Sequence, residues 1–299
     1  MYTYYLALLA AAMPCALGAP QQPRIANETK LPTHFAALIF PHFQALDLIG
    51  PLDLLNSMSM LYKNETTMKL NILSKTMDPV STGMGPGSFG ELFMPTMTFK
   101  DYLNRKKAKP SPGKPNGAAD CDDGHGGHAV AKRNMRFENR QMNHDMPMPP
   151  KADDDFSDIE VLIVPGGGGT RANMTEEIEF VKQIYPGLKY IISVCTGASI
   201  LARAGILDGK RATTNKRSFA WVASTGPNTT WVPTARWVED GNIWSSSGIS
   251  AGIDVTYAWV SHVYSDPVAD YMSESLEYDR QIDEHHDPYG KIWDVPGAT

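Results

Sequence analysis

Three short stretches carry residue types that can do chemistry together. Cys195 stands in KYIISVCTGASILARAG (189–205), between a β-branched run and a small-residue segment of helical character. PGGGG (165–169) closes an apolar run, and Asp47 lies between Leu46 and Leu48 in FPHFQALDLIGPLDLL (40–55). A thiol at a helix start meets the positive end of the dipole and unpaired N–H groups, which lowers its pKa and raises its reactive fraction near neutral pH. Gly197 and Ala198 leave the approach to it open, although a small, inert, buried cysteine fits the same place. The glycines expose backbone N–H groups that, with the N–H of Thr196, can stabilise negative charge developing beside the sulfur. A simple turn is the plainer use of such a run, and a phosphate cradle lacks the lysine that a P-loop requires. A carboxyl held in apolar surroundings beside a thiolate has a raised pKa and can donate or shuttle a proton. An ordinary N-cap or charge at a helix N-terminus is the plainer reading of Asp47, and Asp53 on the same helix is predicted to be exposed.

The elements around these residues must bring them together. HFAALIF (34–40), KLNILSK (69–75), DIEVLIV (158–164) and KYIISV (189–194) read as buried strands, with short strands near 80–82 and 92–94. Helices are predicted over 46–61, with Pro51 in the first turn, over 174–186 with Thr175 as its cap, and over 196–205. RATTN (211–215) is strand-like, as is TARWVEDGNIWSSSG (234–248), where Asp240–Gly241 marks a hairpin. Residues 250–279 hold the helical period and form one or two long helices. Strands apolar on both faces, alternating with helices, predict one α/β domain over 31–280 with a mostly parallel sheet flanked by helices on both faces. In such a sheet ligands gather beyond the carboxyl ends of strands, where all three stretches fall.

Residues 104–155 have almost no aliphatic side chains and many charges, prolines and glycines, and are predicted to be a disordered insertion, with 281–299 a C-terminal tail. Within the insertion, Asp122, Asp123, His125 and His128 resemble a metal-binding group, but in so glycine-rich a setting they are expected to be solvated. No metal and no cofactor is expected.

The chain has 299 residues, a formal net charge of −6 and only three cysteines, so its core must supply its stability. No basic face is evident, which excludes nucleic acid as a partner. Residues 1–18 resemble a secretory signal peptide, with small residues ahead of Ala19, although no Lys or Arg leads the apolar run and Pro14 interrupts it. A buried N-terminal helix is the alternative. Sequons at Asn27, Asn64, Asn173 and Asn228 accord with a secretory-pathway glycoprotein. Cleavage would remove Cys15 and leave Cys121 and Cys195, whose pairing would silence the latter. No later stretch reaches the ~18 apolar residues that span a bilayer.

Taken together, QALDLIGPLDLL, LIVPGGGG and SVCTGASILARAGILDGKRATT resemble the ThiJ/PfpI superfamily, whose fold is flavodoxin-like and shared with class I glutamine amidotransferases, with a nucleophile elbow. They are most similar to its isocyanide (isonitrile) hydratase-like branch, also found as the ligand-sensing half of some bacterial regulators. The resemblance runs from about Phe35 to Asp270. It implies Cys195 as nucleophile, Asp47 as the acid that hydrogen-bonds it, Thr196 as the neighbour that orients the reacting group and Gly167 as an oxyanion N–H donor. The implied reaction adds water to an isonitrile through a cysteine thioimidate, giving an N-formamide, and a homodimer is implied by analogy. Thr196 replaces the histidine of protease-like members, and Asn215–Lys216 replaces the His–Trp pair common in the branch, so the substrate is expected to differ. A non-catalytic binding or redox-sensing protein and a glyoxalase-type enzyme are the competing expectations; the absence of a helix-turn-helix segment weighs against a regulator.

Overall fold

The computed structural model describes residues 20–25, 30–85, 87–108 and 157–298. Eleven strands occur among them: β1 (His34–Leu38), β2 (Lys69–Ser74), β3 (Val80–Ser81), β4 (Leu92–Phe93), β5 (Met97–Thr98), β6 (Val161–Val164), β7 (Tyr190–Ser193), β8 (Arg211–Ala212), β9 (Thr230–Trp231), β10 (Trp237–Asp240) and β11 (Ile243–Ser246). The helices are α1 (Ala45–Leu61), α2 (Phe99–Ala108), α3 (Thr175–Ile184), α4 (Ala198–Arg203), α5 (Phe219–Ser224), α6 (Ala251–Val263), α7 (Asp266–Ser275) and α8 (Tyr289–Ile292).

Seven strands form one sheet in the order β10-β11-β7-β6-β1-β2-β5. Every pair is parallel except the β10–β11 hairpin, which turns at Gly241 with φ +66°. Every residue of β1 and β6 is buried, as strands covered on both faces must be. Helices α1, α6 and α7 pack together as one layer, and α3 and α4 form the other. The fold is therefore the expected single-domain α/β sandwich.

Three boundaries differ from the sequence expectation. Residues 104–108 belong to α2, because Phe99 stacks on Phe180 of α3 (4.6 Å) and Tyr102 packs against the same ring, which carries the charged tail of the helix with them. Pro51 lies in the second turn of α1, so the Asp47 carbonyl lacks the N–H it would otherwise receive from position 51. Residues 281–298 are not a loose tail: Asp287 and Val295 are buried, and Arg236 N–H donates to Glu284 O.

Cys15, Asn27, Cys121, the Asp122/Asp123/His125/His128 group and the leader at 1–18 fall outside the described residues. Among the described residues no cluster of three or more His, Cys, Asp or Glu is placed to hold a metal, and no helix is long and apolar enough to cross a membrane.

Candidate active site

The glycine run is tied to the start of α1 by backbone. Phe43 and Gly167 form a bridge, and Gln44 N–H donates to Gly166 O at 2.9 Å. Gly167 has φ +127°, and a Cβ there would sit 2.5 Å from both Gln44 N and His42 O, so this approach needs glycine. Gly166 is as tightly set, since its Cβ would lie 2.5 Å from Thr196 N. This crowding is what carries Asp47 across to the elbow.

Asp47 does not cap its helix. Its Oδ2 accepts the Gly166 N–H at 2.9 Å, and the carboxyl faces the Cys195 thiol. Oδ1 has no hydrogen-bond donor of its own. Complete burial drives the carboxyl pKa up from 3.8 to about 7, with the Gly166 N–H and the thiol pulling weakly the other way. The raised pKa expected of a carboxyl in apolar surroundings is therefore found.

Cys195 adopts φ +57°, a left-handed conformation that costs a non-glycine residue about 1–2 kcal/mol. Bonds at both ends hold it there: its N–H donates to Ser247 O at 3.0 Å, and its carbonyl accepts the Thr214 hydroxyl at 2.7 Å. The following turn, Cys195–Gly197, is 3₁₀, and α4 begins at Ala198. The thiol is free and only 6% exposed.

The expected depression of the thiol pKa does not occur. Burial first, and the Asp47 charge second, push it well above 9.0, against an opposing pull from the Thr196 N–H and hydroxyl. One short helix end is outweighed by desolvation and a neighbouring carboxylate. Cysteine and carboxyl thus act as a coupled pair, whose first proton leaves near pH 7 and whose second leaves far higher.

Thr196 lies at the sulfur, as expected. The Gly167 N–H, expected to face an oxyanion, is instead committed to Thr196 Oγ1 at 2.9 Å, and the Gly166 N–H to Asp47. The donors nearest the sulfur are therefore those of Thr196: its N–H faces the thiol, while its hydroxyl, also within reach of the sulfur, donates to Gly167 O at 3.3 Å. Sequence reasoning missed Thr170, Thr214 and Ser247, which fix Thr196 and the elbow backbone; Thr213–Thr214 stood in a segment read merely as strand. Asn215 caps the next 3₁₀ turn by accepting Ser218 N–H, and Lys216 turns inward to a buried ion pair with Asp287.

A cleft of about 550 Å³ elsewhere is lined by Arg236, Asp254, Tyr278, Arg280 and His286, and none of the four candidate residues borders it. Both of its arginines are already paired, Arg236 with Asp254 at 2.6 Å and Arg280 with Asp270 at 2.5 Å. The strained thiol with its acid is the better candidate for chemistry.

Comparison with known proteins agrees with the geometry. The profile of the DJ-1/PfpI family matches residues 125–262. Isonitrile hydratase of Pseudomonas putida is 27% identical over 244 residues, 81% of this chain and 76% of that protein. The HTH-type transcriptional regulator GbdR of Pseudomonas aeruginosa is 27% identical over 133 residues, 44% of this chain but 36% of the regulator. In structure, a ThiJ/PfpI family protein from Pseudomonas syringae superposes with a TM-score of 0.55 at 24% identity, over 92% of this chain and 85% of that one. The profile match, the shared fold and a cysteine held left-handed between strand and helix lead to one assignment: over residues 125–262 this chain matches the DJ-1/PfpI family.

Proposed function

We propose that the protein is an isonitrile hydratase-like enzyme that adds water to R–N≡C and releases an N-formamide. The observation that carries this is a free thiol, 6% exposed, facing a carboxyl whose pKa is about 7. An isonitrile presents a terminal carbon at the end of a linear rod, a shape that can reach a nearly closed sulfur; a peptide carbonyl, flanked on both sides, cannot. That carbon also needs a proton, which a carboxyl titrating near neutral pH can give and regain.

The thiol proton passes to Asp47 as sulfur attacks the terminal carbon. Asp47 returns the proton to that carbon as the C–S bond forms, giving the thioimidate R–N=CH–S–Cys195. Water then adds to the carbon, with a proton going to nitrogen. The C–S bond breaks, the formamide leaves, and the sulfur recovers its proton, so the balance is R–NC + H₂O → R–NH–CHO. Thr196, at the sulfur, supports the negative charge on attack and on departure.

The test is formamide production from an alkyl or aryl isocyanide. Wild type should turn over and Cys195→Ala should not. A second reading rests on the similarity to GbdR, a transcriptional regulator: a sensor using the same pocket. Absence of formamide with ready sulfinic acid formation at Cys195 would establish the sensor instead. Methylglyoxal run in parallel tests the glyoxalase alternative.

The same proposal includes a secretory route and a homodimer. Asn64, Asn173 and Asn228 are all exposed, as acceptors of a glycan must be. Protein isolated from its native source should lose mass on treatment with a peptide N-glycosidase, and an unchanged mass would end the secretory assignment.

A further inference from the structure

Thr170 follows the glycine run, inside the 3₁₀ turn Gly168–Arg171, and is completely buried. Its carbonyl is anchored by Arg203 Nη2 at 2.8 Å. Its hydroxyl oxygen lies 2.7 Å from Gly167 O and 3.0 Å from Thr196 Oγ1. Thr196 Oγ1 in turn accepts the Gly167 N–H at 2.9 Å, lies 3.3 Å from Gly167 O, and reaches the Cys195 sulfur.

A hydroxyl has one proton and two lone pairs, so this cluster has several self-consistent patterns, of which two differ in where Thr170 sends its proton. In the first, Thr170 donates to Gly167 O, and Thr196 can give its proton back to Thr170, leaving the sulfur without it. In the second, Thr170 donates to Thr196 Oγ1. Both lone pairs of Thr196 are then filled, by Thr170 and by the Gly167 N–H, and its proton can go only outward, to the sulfur or to Gly167 O at 3.3 Å. Rotating two hydroxyls interconverts the patterns without breaking a covalent bond or moving the backbone.

We propose that Thr170 is a positioning residue whose hydroxyl, by donating to Thr196 Oγ1, turns the single Thr196 proton onto the Cys195 sulfur as charge gathers there. Thr170 touches neither sulfur nor substrate and acts through Thr196. Thr170 itself is completely buried, so its hydroxyl is not in exchange with solvent and valine fills the space it leaves. The inference deepens the hydratase reading by naming what tunes its nucleophile, and it rests on Cys195 being that nucleophile.

The test follows the Cys195 thiolate directly, by its ultraviolet absorbance across a pH series, with Cys195→Ser as the blank. It needs no isonitrile, so failure of the hydratase assay and failure of this inference are separate results. Thr170→Val, which keeps the shape and removes the hydroxyl, should lower the thiolate fraction at a given pH by about tenfold. Thr170→Ser should restore it to within about twofold. Thr196→Val should show a similar loss, and the double valine variant should be no worse than Thr196→Val alone. If Thr170→Val does not fold, Thr170→Ala carries the same expectation. An unchanged titration, a serine that fails to rescue, or losses that simply add in the double variant would overturn the assignment.

Discussion

Asp47→Asn is expected to cut isonitrile turnover by ~10²–10⁴-fold, the usual worth of a general acid–base, while making the folded protein more stable at neutral pH. The two effects have one cause. The buried carboxyl titrates at about 7 in the fold and near 3.8 outside it, so folding favours the protonated form. A group whose folded pKa is raised contributes its stability fully below the unfolded value and loses it as pH climbs through the folded one. Wild type should therefore weaken between pH ~4 and ~7 by on the order of 4 kcal/mol, an upper figure for a fully buried group. Asparagine keeps a carbonyl for the Gly166 N–H and has nothing to ionise. Urea unfolding should find the variant close to wild type near pH 4 and ahead of it by on the order of 2–4 kcal/mol near pH 8. The thiol should respond in the opposite sense to turnover. With the Asp47 charge gone, its pKa falls, and alkylation of Cys195 at neutral pH should quicken even as hydration stops. A variant whose stability gain is equal at both pH values, or whose turnover survives, would remove Asp47 from its role.

The second large effect is placed far from the sulfur in sequence. Lys216 is buried, and its three protons go to Ala235 O (2.6 Å), Thr213 Oγ1 (2.7 Å) and, more loosely, Thr214 O (3.4 Å). Asp287 Oδ2 lies 3.3 Å away and receives none of them, so the pair is a contact of charges without an aligned hydrogen bond. Desolvation lowers the Lys216 pKa from 10.5 to about 8, against the attraction of Asp287. Asp287→Ala leaves an ammonium in the interior with no counter-charge and should destabilise the protein by about 3–5 kcal/mol in urea unfolding. Replacing both partners, as in Lys216→Met with Asp287→Leu, should recover most of that loss. The pH dependence supplies a check. The folded pKa is depressed, so the lysine opposes folding at neutral pH, and its contribution to stability rises between about pH 8 and 10.5. Asp287→Ala should also expose residues 281–298 to limited proteolysis, because Asp287 fastens that segment. Equal stability of wild type and Asp287→Ala would show that the contact has no energetic role.

Strands β1, β6 and β7 were legible because each is an uninterrupted apolar run; the glycines and Cys195 were legible because each breaks such a run at its end, and Asp47 because it is a lone charge between apolar residues. What escaped depends on partners that no local pattern names. The helical state of 104–108 is decided by aromatic rings upstream that meet Phe180. The direction of the Cys195 pKa depends on how deeply the elbow is buried and on the charge facing it, and a strand–Cys–helix pattern reports neither. The open N–H expected at Gly167 is closed by a threonine 29 positions away. Lys216 read only as a departure from the branch's His–Trp pair, since its partner Asp287 lies beyond the span the resemblance covers.

The bond between Gly166 and Asp47 closes a separation of 119 residues, and Cys195 then leans on Ser247, which directly follows the last strand to join the sheet in chain order. Contacts of such range form slowly, since each must first overcome the entropy of loop closure. A ribosome-bound chain that has emerged as far as α4 therefore lacks the carbonyl that fixes the elbow. The left-handed turn at the sulfur is acquired late in the birth of the molecule, once the end of the sheet has been made.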